Sequence, residues 1–321
     1  MSAVVESSES DPTSRGFEPA YLRLMRSGEL AERSRAARAR LENCDLCARY
    51  CRIDRRQSTR GAVCRTGERA VVYSAGPHYG EEDCLSGSRG SGAIFFSWCN
   101  LRCVYCQNWE ISWRGDGSEA SDEELADLML RLQARGCHNI NLVSPSHVAA
   151  QIIAAVEIAA RRGLRLPLVY NTGGYDSPEA LALLDGVVDI YMPDMKYDDD
   201  ATAHTYSHAR DYVEVNRAAV REMHRQVGDL ALEADGLAAR GLIVRHLVLP
   251  GGLAGTKAVV KFLAEEISPN TYVNVMAQYR PCYRAFEHPA LDRRITRAEF
   301  AEALAAARAS GLHRLDPGSV L

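Results

Sequence analysis

Residues 97–106 read S-W-C-N-L-R-C-V-Y-C and directly follow the short apolar run at residues 93–96. They place three cysteines in a C-x3-C-x2-C spacing. Iron–sulfur clusters are normally held by four thiolates, so three ligands leave one iron of a four-iron cluster without a protein ligand. A metal centre with an open position is typical of catalysis, because a substrate can occupy that position. The alternative from these residues alone is a three-cysteine zinc site completed by a distant fourth ligand.

The composition is that of a globular protein. The 321 residues are 46% hydrophobic and 25% charged, with a net charge of −4. The N-terminus is polar, and no apolar run has membrane-spanning length, so we expect a cytoplasmic protein that does not contact a membrane. Ten cysteines in that compartment indicate metal or redox chemistry rather than disulfides.

Residues 31–69 carry a local surplus of positive charge, with eleven arginines against five acidic residues. Such a surplus would suit a nucleic-acid surface. However, the whole chain has 35 arginines and three lysines, so arginine is its ordinary surface cation. Arginines beside thiolate clusters also offset negative charge. We therefore expect no nucleic-acid partner.

The pattern along the chain predicts three parts. Residues 1–16 are expected to be disordered, residues 17–85 to form a helix (17–41) and a cysteine-rich knot, and residues 86–321 to form the main domain with a C-terminal helix. In the main domain six apolar, β-rich runs alternate with helical patterns: 93–96, 139–143, 168–170, 187–192, 242–249 and 272–276.

Alternation of strands and helices predicts a parallel sheet with both faces covered. Six units are too few for a closed eight-stranded barrel. We therefore predict an α/β fold, a partial (β/α)6 barrel, with its chemistry at the carboxyl ends of the strands.

The cysteine loop, with an aromatic residue before its last cysteine, resembles that of the radical S-adenosylmethionine (SAM) superfamily. Other segments resemble the activases of glycyl radical enzymes, and most closely the PflX-like homologues of pyruvate formate-lyase activating enzyme. These segments read Y-N-T-G at 170–173, M-P-D-M-K at 192–196 and V-R-H-L-V-L-P-G at 244–251. The resemblance covers residues 44 to about 310.

The resemblance implies a radical SAM barrel in which Cys99, Cys103 and Cys106 bind a [4Fe–4S] cluster and SAM binds the open iron. In such enzymes SAM is cleaved reductively to a 5′-deoxyadenosyl radical, which abstracts hydrogen from a substrate. The implied partners are an electron donor such as flavodoxin or ferredoxin and, as substrate, a glycyl radical enzyme or another protein. Two alternatives are a radical SAM reaction on another peptide, a small molecule or RNA, and a non-catalytic iron–sulfur redox sensor.

The residues expected to contact SAM are polar side chains of the cysteine loop and of the strand ends. They are Tyr105, Asn108, Ser144, Ser146, His147, Asn171, Thr172, Asp194, Lys196, Arg245 and Gln278. The activases carry a G-G-E segment after their second strand, where this chain has V-S-P-S-H at 143–147. The contact with the SAM amino group is therefore assigned to one of the two serines or to the histidine of that segment.

Arg245 lies within an apolar run, and a buried guanidinium needs a paired carboxylate. By resemblance that carboxylate belongs to SAM. The alternative is a structural ion pair with Asp194, and the two are compatible.

Cys44, Cys47, Cys51 and Cys64 form a second cysteine group, with the spacing C-x2-C-x3-C-x12-C. Four thiolates make a closed ligand set, which is typical of structural sites. Zinc and a [4Fe–4S] cluster both accept four thiolates, so the spacing does not choose between them. We predict a second metal site that holds either zinc or an iron–sulfur cluster.

Overall fold

The computed structural model describes residues 17–319, so the expected disorder of residues 1–16 lies outside the described residues. The strands of this part are β1 (Ala70–His78), β2 (Ser91–Phe96), β3 (Ser118–Ala120), β4 (Ile140–Val143), β5 (Leu168–Thr172), β6 (Ile190–Pro193), β7 (Ala231–Leu232), β8 (Ala238–Leu247) and β9 (Tyr272–Met276). The α-helices are α1 (Ala20–Ser27), α2 (Glu29–Ala39), α3 (Asp83–Ser86), α4 (Asp122–Ala134), α5 (Ala149–Arg161), α6 (Pro178–Leu184), α7 (Asp200–Ser207), α8 (Tyr212–Val227), α9 (Thr256–Phe262) and α10 (Arg297–Ala309).

Six strands form the parallel part of the sheet, in the spatial order β2-β4-β5-β6-β8-β9. They correspond to the six apolar runs of the sequence, so the predicted α/β class is confirmed. Three further strands are antiparallel and were not predicted. β1 pairs along its length with β2, β3 pairs with β1, and β7 pairs with β8.

The sheet is curved but open. Phe95 of β2 and Asn274 of β9 lie at opposite ends of the parallel order, yet they line the same cavity. A flat sheet would keep these residues far apart, since neighbouring strands are about 4.8 Å apart. β2 and β9 do not pair with each other among residues 17–319. The architecture is therefore a partial barrel.

Local sequence signals set most of the helix ends. Ser121 caps α4 and shares a capping box with Glu124, and Ser177 caps α6 directly before a proline at the first helical position. The predicted helix at 17–41 is instead two helices. Gly28, at φ 83°, ends α1 and begins α2 in a left-handed conformation that favours glycine.

Helices cover the sheet and bury an apolar core. α5 is the most buried of them, with Ile152, Ile153 and Val156 fully inaccessible to solvent. Within the described part, no helix is both long and apolar enough to cross a membrane.

Candidate functional site

A cavity of about 660 Å³ lies at the carboxyl ends of the six parallel strands. This volume is within the usual range for a small-molecule site. All three cysteines of the 97–106 loop line the cavity, and residues that end or follow the parallel strands form much of the remaining wall. The cavity therefore brings the cysteine loop and most of the polar strand-end residues together.

The thiols of Cys99, Cys103 and Cys106 are neighbours. Burial, together with the nearby Cys103 sulfur, raises the pKa of Cys99 to about 12 and that of Cys106 to about 11. The positive charge of Lys196 opposes this effect, because it lowers the pKa of all three thiols. The lysine thus supplies positive charge beside a group that would become negative when it binds a metal.

Each of the three sulfurs accepts a hydrogen bond from the chain. The donors are the backbone N–H of Leu101 to Cys99 (3.3 Å), the hydroxyl of Ser207 to Cys103 (2.9 Å) and the hydroxyl of Ser112 to Cys106 (3.1 Å). Hydrogen bonds to sulfur stabilise the thiolate form and tune a bound iron–sulfur cluster. The donor set therefore suits a three-thiolate cluster.

A chain of hydroxyl groups holds the cysteine loop in place. The Tyr105 hydroxyl lies 2.6 Å from the Tyr197 hydroxyl, which lies 2.7 Å from the hydroxyl of Ser207. Ser207 is also the donor to Cys103. Tyr105 packs its ring edge-on against Tyr279, with centroids 5.9 Å apart. Tyr105 lines the cavity as expected, and it also anchors the loop through its hydroxyl.

Arg245 lines the cavity, but its guanidinium is held by two carboxylates from far upstream. Its Nε and Nη2 donate to the two oxygens of Glu82, at 2.8 and 2.6 Å, and Nη2 also donates to Glu81. The alternative ion pair with Asp194 is absent from the described residues, because the Asp194 carboxylate pairs with Lys196. The alternative from the sequence, an Asp194 partner for Arg245, is therefore wrong.

Lys196 and Asp194 form an ion pair of 2.5 Å at the end of β6. Burial alone would lower the pKa of Lys196, but the Asp194 carboxylate and the Cys103 thiol hold it well above its usual value. The Lys196 backbone N–H donates to the Tyr212 hydroxyl, whose single proton is shared between the carbonyl oxygens of Gly173 and Asp194. These contacts connect the ends of β5 and β6 at the cavity wall.

Of the three residues proposed to replace the G-G-E contact, only Ser144 lines the large cavity. It is held at φ 60°, a conformation uncommon for a residue other than glycine. Ser146 is buried, and its hydroxyl lies 2.8 Å from that of Thr172. His147 lines a different cavity, and burial lowers its pKa to about 3. Neither Ser146 nor His147 lies where the sequence placed it, because their side chains point into the protein.

The other expected residues do line the large cavity: Asn108, Asn171, Thr172 and Gln278. The Thr172 hydroxyl is already used, since it donates to buried Asp176 at 2.6 Å. Several lining residues were not predicted, chiefly Glu81, Glu82, Asp83, Asn274 and Asp316. The only signal for the two glutamates was the need of Arg245 for a carboxylate.

The second cysteine group surrounds its own small cavity of about 10 Å³, which is lined by Cys44, Cys47, Cys51 and Cys64 with Arg55 and His147. Arg55 is 2% exposed and donates to the carbonyl oxygen of Thr66 (2.8 Å) and to the sulfur of Cys44 (3.6 Å). It has no carboxylate partner among residues 17–319. A buried guanidinium needs negative charge, which metal-bound thiolates would supply.

The two cysteine groups are in contact through their loops. Arg49, between Cys47 and Cys51, donates to the Asn100 carbonyl oxygen at 2.7 Å, and Arg102 of the cavity loop donates to the carbonyl oxygen of Val63. Within the described residues, no three His, Cys, Asp or Glu side chains are already arranged around a single ion. The case for both metal sites therefore rests on the chemistry of the donors and on their surroundings.

Comparison with known proteins gives a family match and a curated relative. Residues 93–229 match the family model of the radical SAM superfamily. The uncharacterized protein MJ0674 of Methanocaldococcus jannaschii is 30% identical over 271 residues, which cover 82% of this chain and 73% of that protein.

Two solved structures are also similar. TYW1 with a bound lysine-pyruvate adduct has a TM-score of 0.41 at 10% identity. The match covers 68% of this chain and 73% of the TYW1 chain. The radical SAM methyltransferase TsrM of Kitasatospora setae, with tryptophan and aza-SAM bound, has a TM-score of 0.47 at 14% identity. The match covers 69% of this chain and 53% of the TsrM chain.

Proposed function

The chain belongs to the radical SAM superfamily, an enzyme family that uses a [4Fe–4S] cluster and SAM, and on this premise we propose that Cys99, Cys103 and Cys106 hold the cluster. The observation that carries the proposal is that all three sulfurs line one 660 Å³ cavity and that each accepts a hydrogen bond from the chain. When bound, the cluster supplies the electron that cleaves SAM to methionine and a 5′-deoxyadenosyl radical.

Lys196 is the cation that we propose for the SAM carboxylate. The motif resemblance favours Arg245, but this residue already forms ion pairs with two carboxylates, Glu81 and Glu82. Lys196 lies near the cysteine thiols and has a single acidic partner, Asp194, among the ion pairs of the described residues. A partly buried ammonium with unused donor capacity suits a carboxylate ligand.

Ser144 is the residue that we propose for the SAM amino group. It is the only member of the 143–147 segment that combines a polar side chain with a place in the cavity wall. Asn171 and Asn108 lie in the same wall and supply further amide donors and acceptors. Together these side chains would orient SAM against the open iron, which is what a positioned cofactor requires.

The substrate that loses hydrogen is proposed at the same cavity. The motifs at 170–173, 192–196 and 244–251 favour a backbone glycine of a partner enzyme, and this identity stays a prediction from the resemblance. The electron donor is proposed to be a flavodoxin or ferredoxin. Because all ten cysteines are unpaired, we propose that the protein works in the reducing cytoplasm.

The four N-terminal cysteines are proposed to hold the second metal group. Buried Arg55 supports this assignment, since it lies beside the Cys44 sulfur and lacks a carboxylate partner in the described part of the chain. The contacts of Arg49 and Arg102 would then join this second metal group to the cluster loop.

The experiment is an assay of 5′-deoxyadenosine release from SAM by anaerobically reconstituted protein with dithionite. The combined Cys99→Ala, Cys103→Ala and Cys106→Ala variant should release none. The matched control changes Cys137 and Cys282 to alanine, because both are buried cysteines outside the two groups. Release by the triple variant, or no release by fully iron-loaded wild type, would contradict the proposal.

A further inference from the structure

The two ring nitrogens of His147 differ: Nε2 forms a hydrogen bond and Nδ1 forms none. Its Nε2 lies 2.9 Å from the carbonyl oxygen of Ser97, which only accepts hydrogen bonds. Nε2 must therefore carry the proton and donate it. In a neutral imidazole the other nitrogen, Nδ1, then carries a lone pair. A charged imidazolium is disfavoured because the Arg55 guanidinium lines the same cavity.

The Nδ1 atom is buried and has no hydrogen-bond partner, and the whole residue is only 1% exposed. A buried acceptor without a partner is costly, about 1–3 kcal/mol. The polar groups that share its cavity are the four cysteine sulfurs and the side chains of Arg49, Tyr50 and Arg55, and none of them forms a hydrogen bond with Nδ1. Metal-bound thiolates are themselves acceptors, so they cannot satisfy this lone pair. A metal ion among the thiolates would satisfy it.

We propose that His147 is a ligand, through Nδ1, of a single zinc-class divalent ion in the N-terminal cysteine site. This inference rests on the proposed second metal site and replaces its all-thiolate ligand set with a mixed one. Histidines that bind metal usually donate their other ring N–H to a carbonyl or carboxylate, and here Ser97 accepts it. The cavity, at about 10 Å³, has room for about one water-sized sphere, which suits one ion.

Three thiolates and one imidazole make a known structural zinc set. Cys44, Cys47 and Cys64 are buried, whereas Cys51 is the only one of the four that is partly exposed. The mixed set therefore consists of His147 with the three buried cysteines and leaves Cys51 out. Because Ser97 lies two positions before Cys99, the same imidazole also ties this ion to the loop of the large cavity.

The test uses the full chain with Cys99, Cys103 and Cys106 changed to alanine, so that the cluster loop binds no metal. Cobalt(II) is the probe, because it replaces zinc and is paramagnetic. We expect one cobalt per chain, with a nitrogen coupling in pulsed electron paramagnetic resonance. Adding His147→Ala should abolish that coupling and weaken cobalt binding at least about tenfold. Adding Cys51→Ser should leave both unchanged.

Two further variants distinguish the loss of a metal ligand from the loss of folding. His246→Ala is the matched control, since His246 is buried but has both ring nitrogens hydrogen bonded, to Met195 and Thr256. His147→Cys restores a donor and should recover cobalt binding without the nitrogen coupling. Cobalt bound without nitrogen coupling in the parent, or no cobalt bound at all, would overturn the inference. SAM cleavage by wild type is measured separately, so failure here does not count against the proposed function.

Discussion

Glu82 and Arg245, 163 positions apart in the chain, form a two-point ion pair in the wall of the large cavity, with N–O distances of 2.8 and 2.6 Å. The Glu82 side chain is completely buried, and that of Arg245 is 15% exposed. The pair joins the residue that precedes the short helix α3 to β8, and Asn274 of β9 donates to the same carboxylate at 2.8 Å. One buried carboxylate thus connects the segment before β2 to the last two parallel strands.

Removing this carboxylate should destabilise the protein. Glu82→Gln leaves the buried Arg245 guanidinium with Glu81 alone, and breaking a buried ion pair costs about 3 kcal/mol. We expect a loss of that size in the free energy of unfolding, measured with urea at pH 7. The control is Glu287→Gln, which removes an exposed ion pair with Arg284 and should change nothing measurable. Equal stability of the two variants would contradict this role of Glu82.

The effect of Glu82→Gln should depend on pH. Burial alone would raise the pKa of Glu82, but the Arg245 guanidinium holds it below its ordinary value. Because the pKa is lower in the folded chain than in the unfolded chain, the stabilisation by Glu82 is complete above the unfolded pKa. It is lost as the pH falls through the folded pKa. The stability difference between wild type and variant should therefore shrink below about pH 4.5. A stability difference between wild type and variant that stays constant down to about pH 3 would contradict this pH dependence.

Ser112 should set part of the cluster potential. Its hydroxyl donates to the Cys106 sulfur at 3.1 Å, and hydrogen bonds to sulfur favour the reduced, more negative cluster. Ser112→Ala should lower the midpoint potential by about 40 mV, the one-electron equivalent of a hydrogen bond of about 1 kcal/mol. A redox titration followed by electron paramagnetic resonance measures it. Ser310→Ala, which removes a hydroxyl bonded to the Ala307 carbonyl, should cause no shift, and a shift of the same size there would refute the assignment.

Lys196 should control SAM affinity. A charge-assisted contact with the SAM carboxylate is worth about 1.5–3 kcal/mol, so Lys196→Met should weaken SAM binding roughly 10- to 100-fold. Calorimetric titration of anaerobic protein with SAM gives the dissociation constant. The control is Lys257→Met, because Lys257 forms only an exposed pair with Glu302. If Lys196→Met binds SAM as well as wild type while Arg245→Met does not, the carboxylate belongs to Arg245.

Much of the fold was predictable because its signals are local. The six parallel strands are continuous apolar runs, and helix ends such as that of α4 carry a capping serine followed by acidic residues. Two of the three antiparallel strands, β3 and β7, were missed because they have only three and two residues. The break at Gly28 was also missed, because one glycine within a helical pattern does not by itself predict a helix end.

The site residues were predictable only where their chemical role follows from the spacing of a sequence motif. The cysteine loop and the residues after β5 and β6 lie at the cavity, as the motif positions implied. The partners of Arg245 depend on a contact across 163 positions, which no local pattern encodes. Ser146 and His147 face inward because of how the turn after β4 is folded, with Ser144 held at φ 60°. Side-chain direction after a turn depends on backbone conformation, which the sequence alone does not fix here.

The central claim is that Cys99, Cys103 and Cys106 leave one iron open for SAM, and the most direct test is the electron paramagnetic resonance spectrum of the reduced cluster. It should be recorded with and without SAM, in protein whose Cys44, Cys47, Cys51 and Cys64 are changed to alanine so that the N-terminal metal site contributes no signal. Binding of SAM to the open iron predicts a changed spectrum on SAM addition. A cluster spectrum identical with and without saturating SAM would contradict the account.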